Sequence, residues 1–146
     1  MPDVPLQPVD AVTITTLIDN AGDLLLPDQG PAKRPSFGDE TAPRLRAAFL
    51  EGGQAIDAPL AEHGFSALVT ITKAGHSRRL LFDAGLTPDG LVENMRRLGI
   101  SPKDLEAIVL SHGHFDHTTG LDGLARALGR PNLPVIIHPE FWSRRR

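Results

Sequence analysis

A chain of 146 residues, 40% hydrophobic and 23% charged, carries enough apolar content for one packed domain and is too short for two ordinary ones. Its formal net charge of −3 gives no broad electrostatic reason for a nucleic-acid partner. There is no cysteine, which excludes disulfides and thiolate ligands and leaves imidazole and carboxylate to hold any metal.

The opening Met1-Pro2-Asp3-Val4-Pro5 has no basic or apolar targeting region, and no apolar run approaches the roughly 20 residues that cross a bilayer. The expected compartment is cytoplasmic, with no membrane partner. Val12 to Ile18 is rich in β-branched residues and reads as a strand ending at Asp19-Asn20. From 20 to about 60, prolines and glycines punctuate the chain. A short helix is expected near 44–51, capped by Thr41 and stopped by Gly52. A connection this long inside a compact domain is often functional, so 20–60 is expected to be a loop insertion lying over a site.

Two strands follow, 66–72 and 79–83, joined by Ala74-Gly75-His76-Ser77 as an antiparallel hairpin. Thr87 and Pro88 then open a helix with Leu91, Val92, Met95 and Leu98 on one face, ended by Gly99. Ser101 to Asp104 predicts a helical turn before the strand Ala107-Ile108-Val109-Leu110. Leu121, Leu124, Ala125 and Leu128 mark another helix, stopped by Gly129 and Pro131, and 134–138 reads as a last strand. The mixture predicts an α/β (α+β mixed) architecture. Phe141, Trp142 and Met95 are assigned to the core, and the Arg144-Arg145-Arg146 run to solvent.

Three of the six histidines fall within Ser111-His112-Gly113-His114-Phe115-Asp116-His117, directly after an apolar strand. Imidazoles crowded in this way are costly to bury unpaired. In an extended segment residues i and i+2 point the same way, so His112 and His114 are able to share an ion while Asp116 and His117 face a second one beside it. Gly113 permits the backbone to turn, and Gly120 permits close entry into the following helix. His76 is expected on the surface, and His138 matches no ligand position. No phosphate loop, serine triad or nucleotide fingerprint is present.

The pattern His-x-His-x-Asp-His followed by Thr118-Thr119-Gly120-Leu121 resembles the metal-binding motif of the metallo-β-lactamase superfamily. The strand Val12 to Ile18, Leu81-Phe82-Asp83-Ala84-Gly85 and Leu105-Glu106-Ala107-Ile108-Val109-Leu110 are similar to that superfamily in the same order. More narrowly, Leu17-Ile18-Asp19-Asn20 and Ala61-Glu62-His63-Gly64-Phe65-Ser66 resemble a branch of dihydropterin ribofuranosylaminobenzene-phosphate synthase-like proteins.

The resemblance implies an αββα sandwich of which this chain supplies the first half, with residues 1–146 a domain cut short at its C-terminal side. It implies two zinc ions per complete domain, His112 and His114 on the first, Asp116 and His117 on the second, iron or manganese being chemically admissible too. It implies a hydrolase whose metal-activated hydroxide attacks a phosphoester or ester-like small metabolite, Asp116 also serving as the catalytic carboxylate. Asp83 is expected beside the metal loop as its support, and His63 on the substrate side. In such families the remaining ligands, two histidines and a bridging aspartate, come from further downstream, so the chain alone is expected to bind metal weakly, to show little or no turnover and to self-associate through an uncovered sheet face. A glyoxalase-type thioesterase and a non-catalytic metal-binding half-domain are the competing readings.

Overall fold

The structure is a computed structural model describing residues 5–23, 25–35, 42–129 and 132–143. Thr41, Pro131 and the Arg144–Arg146 run lie outside the described residues.

The sheet grows from the hairpin. Strands β4 (Ser66–Lys73) and β5 (His76–Phe82) pair antiparallel, and the two residues between them, Ala74 and Gly75, have φ of 49° and 77°. Two positive φ values in a two-residue loop suit the twist of the flanking strands. The N-terminal strand β1 (Ala11–Ile18) adds antiparallel to β4, with a bulge between Thr16 and Ile18. On the other side β6 (Ala107–Val109) and β7 (Val135–Ile136) add in parallel, giving the order β1-β4-β5-β6-β7. Among the described strands, only β5 has antiparallel pairing on one flank and parallel pairing on the other.

Each parallel step needs a crossover. Helix α1 (Gly90–Arg97) lies between β5 and β6; the short α2 (Phe115–Thr118) and α3 (Leu121–Leu128) lie between β6 and β7. Leu68, Leu81 and Ile108 are partners across one rung, and they share a buried cluster with Leu91 and Met95 of α1 and Leu124 of α3. Each such side chain contributes roughly 1.5–3 kcal/mol by leaving water. The result is a mixed α/β fold with one β layer and one α layer, half the layers of an αββα sandwich. The alternate residues form the other face, where Val12 and Ile14 remain 55% and 66% exposed.

Three local expectations need correction. The segment near 44–51 is not helical: Arg44–Arg46 forms β2, paired antiparallel with β3 (Gln54–Ile56) as a separate ribbon. The glycines read as a helix stop, Gly52 and Gly53, instead take φ of 78° and 68° in the reversal of that ribbon. Helix α1 starts at Gly90 rather than at Pro88, although Thr87 still serves its first turn, its Oγ1 accepting from the Gly90 N–H at 3.1 Å. Trp142 is 80% exposed; Phe141, edge-on to it at 4.9 Å between centroids, is the aromatic that reaches the core.

Candidate metal centre

The carboxyl ends of β5 and β6 lie side by side; β5 runs directly into Asp83, and β6 reaches Ser111 through Leu110. Such strand ends are where ligands bind in sheets of this kind. Asp83 follows β5 with φ of 56°, and its N–H donates to Val109 O at 2.9 Å, extending the parallel pairing by one step. Its carboxylate is 1% exposed, a costly placement unless its oxygens are satisfied. They are. Oδ1 accepts from the Ser111 N–H at 2.8 Å, and Oδ2 accepts from the Ser111 hydroxyl at 2.6 Å and from His117 Nδ1 at 2.7 Å.

His114 is extended (φ −73°, ψ 148°), and the chain then turns into α2. The bend expected after His114 is thus one helical turn carrying Asp116 and His117. The His112 ring lies 4.5 Å from that of His114 and 4.3 Å from that of His117, centroid to centroid. Asp116 Oδ2 is 3.7 Å from His117 Nε2. The rings of His112, His114 and His117 and the carboxylate of Asp116 thus lie near one another.

A strap formed by residues 61–65 closes one side. Glu62 anchors it: Oε1 accepts from the N–H groups of Leu86 and Thr87 at 2.9 and 3.1 Å, and Oε2 from the Thr87 hydroxyl at 2.5 Å. Next to it His63 brings Nε2 within 3.3 Å of Asp116 Oδ2 while most of its side chain stays exposed. Gly64 makes the approach possible. At φ of 111° it lies so close to the motif that a β-carbon would stand 2.1 Å from Asp116 O. Gly120 does the same on the other side, where a β-carbon would fall 1.9 Å from Ala84 O.

Beside His112 opens a cleft of about 440 Å³, lined also by Ser111, His138, Glu140, Phe141 and Ser143. Sequence reasoning set His138 aside, yet the fold places it on the wall that His112 shares. Ser111 and Glu62 were also missed as contributors. His76, as expected, is exposed in the hairpin.

The donor chemistry suits a borderline divalent cation: imidazoles crowded with a carboxylate, one imidazole held at Nδ1 by a buried aspartate so that Nε2 faces Asp116. Among the described residues, however, no three His, Asp or Glu side chains form a group able to hold an ion.

The chain belongs to the metallo-beta-lactamase superfamily, whose family model matches residues 61–145. Members of that superfamily generally bind metal ions, and they include hydrolases such as ribonuclease Z. Among its relatives is the 7,8-dihydropterin-6-methyl-4-(beta-D-ribofuranosyl)-aminobenzene-5'-phosphate synthase of Methanocaldococcus jannaschii, 37% identical over 82 residues that make up 56% of this chain and 28% of that one. A ribonuclease Z from Pyrobaculum neutrophilum is 37% identical over 82 residues, 56% of this chain and 26% of the relative. The Rm3 metallo-beta-lactamase structure is 30% identical across 57% of this chain and 29% of its own, with a TM-score of 0.40, too low to bear on the fold. The chain thus spans between a quarter and a third of the length of these curated relatives. No helix among the described residues is long and apolar enough to cross a membrane.

Proposed function

We propose that this chain supplies part of a two-metal hydrolase centre that cleaves a phosphoester or ester-like bond in a small metabolite. The carrying observation is the convergence of His112, His114, Asp116 and His117 at the ends of β5 and β6, with buried Asp83 orienting His117. In this reading His112 and His114 hold one divalent ion, zinc by donor preference, and Asp116 and His117 the other. Bound there, such ions would supply a water made nucleophilic at neutral pH and would polarise the oxygen of the bond to be cut.

The remaining work belongs to the chain's own groups. In this reading Asp116 Oδ2, with His63 Nε2 at 3.3 Å and His117 Nε2 at 3.7 Å, would take a proton from the attacking water. His63, anchored through Glu62 yet open to solvent, approaches the substrate. The insertion at 20–60 would border the same space. Two relatives support phosphorus chemistry in their names: the synthase acts in the formation of a phosphate-bearing compound, and ribonuclease Z is a nuclease. A phosphorylated small molecule suits the acidic chain better than a polyanion does. Zinc bound to the purified chain, measured by equilibrium dialysis and elemental analysis, tests the centre. His114→Ala is expected to weaken binding at least about tenfold, as loss of a ligand should. Unchanged zinc in that variant would remove the motif from the account. Cleavage of bis(p-nitrophenyl) phosphate by the zinc-loaded chain would favour an active hydrolase over a thioesterase or a non-catalytic metal-binding half-domain.

A further inference from the structure

The Ser111 hydroxyl has one proton and two close partners, Asp83 Oδ2 at 2.6 Å and His112 Nδ1 at 2.8 Å. The proton goes to the carboxylate. A hydroxyl that has spent its proton can meet a ring nitrogen only as an acceptor, so His112 Nδ1 must carry the hydrogen. The same Asp83 oxygen accepts from His117 Nδ1 at 2.7 Å. One buried carboxylate therefore sets two imidazoles, His117 directly and His112 through Ser111.

We infer that Ser111 is a positioning residue that fixes His112 as the Nδ1–H tautomer and turns its Nε2 lone pair to the metal side. Because an imidazole ligates through its unprotonated nitrogen, the choice of tautomer decides which ring atom is the donor. Without the relay, His112 would divide between two tautomers and present the donor atom for only part of the time. Ser111 is exposed and Asp83 retains the Ser111 N–H and His117 when the hydroxyl is removed, so the effect of losing it falls on the ring rather than on the core.

The role of the donor atom rests on the metal-centre reading; the tautomer itself is read without metal. Long-range ¹H–¹⁵N correlation on the metal-free, ¹⁵N-labelled chain, at a pH where the rings are neutral, reports which nitrogen of each ring carries hydrogen. The expected pattern is Nδ1–H for both His112 and His117 in the natural chain. Ser111→Ala should shift His112 toward Nε2–H and leave His117 unchanged, and Ser111→Thr should restore the natural pattern. Zinc affinity should fall at least about tenfold in Ser111→Ala and recover in Ser111→Thr. His112 found as Nε2–H in the natural chain overturns the relay, as does an Ala variant whose His112 is unaltered. Should the Ala variant fail to fold, the natural chain and Ser111→Thr still decide the matter. Expected tautomers in a chain that binds no zinc would uphold the relay and defeat the metal-centre reading instead.

Discussion

At Gly64 a single hydrogen atom in place of a side chain decides whether the strap lies against the metal motif. A β-carbon there would meet the Asp116 carbonyl at 2.1 Å, and the backbone φ of 111° is one that L residues seldom adopt. Both obstacles act in the same direction. Gly64→Ala is expected to cost roughly 1–3 kcal/mol and to lower the melting temperature by several degrees, measured by calorimetry. A variant melting with the natural chain would show that the strap does not rest on Asp116. Residues of this kind were only partly legible beforehand. His112, His114, Asp116 and His117 announce themselves, because their spacing in a short segment is itself the geometry. Gly120 was read correctly for the same local reason. Ser111, Glu62 and His138 were not, since a serine, a glutamate and a histidine 26 positions beyond His112 acquire meaning only when β5, β6 and β7 come into register.

Among the elements, α1 carries a latch as well as a core face. Asp57, which follows β3, is 4% exposed and meets Arg96 Nη2 at 2.8 Å and Arg97 Nε at 2.9 Å. Hydrogen bonding from Arg96 first, then from Arg97, holds its carboxyl below the ordinary value of 3.8 against the opposing effect of burial. A lowered folded value means that the ion pair's contribution is complete above about pH 4 and is lost as pH falls through that lowered value. Asp57→Asn should therefore flatten the fall in stability on acidification, measured by urea unfolding at a series of pH values from about 6 to 2.5. An unchanged acid profile would show that the latch contributes nothing to folding. The ribbon that Asp57 closes was misread as a helix because Gly52-Gly53 serves equally well as a helix stop and as a reversal between strands. The local code holds both outcomes, and pairing with β3 decides between them. Trp142 was misread for a different reason: size argues for burial only when the surrounding elements leave room, and Phe141 already fills the place that the core offers.

For the molecule as a whole, the mixed architecture was legible from the alternation of strand and helix patterns, the half-sandwich only through the family resemblance, and the strand order not at all. The face of the sheet opposite α1 and α3 carries Val12 and Ile14 of β1, with Val69 and Leu80 on the rung of Ile14. Val12 and Ile14 are exposed, with Val69 and Leu80 half-buried beside them, and an aliphatic patch of this kind favours association. We propose that the chain associates with itself through this face, and that Ile14→Lys reduces the association; sedimentation velocity across a concentration series measures it. A natural chain that stays monomeric at high concentration would count against the proposal. The change of strand polarity at β5 has a further consequence, in time rather than in space. The β4–β5 hairpin closes across two residues, but Asp83 meets Ser111 only after the chain has travelled through α1 and β6, and His117 later still. Local contacts form before distant ones because closing a long loop costs more entropy. The candidate site is thus assembled late: Asp83 already stands at the end of an existing hairpin, and Ser111 and His117 reach it only once α1 and β6 have packed.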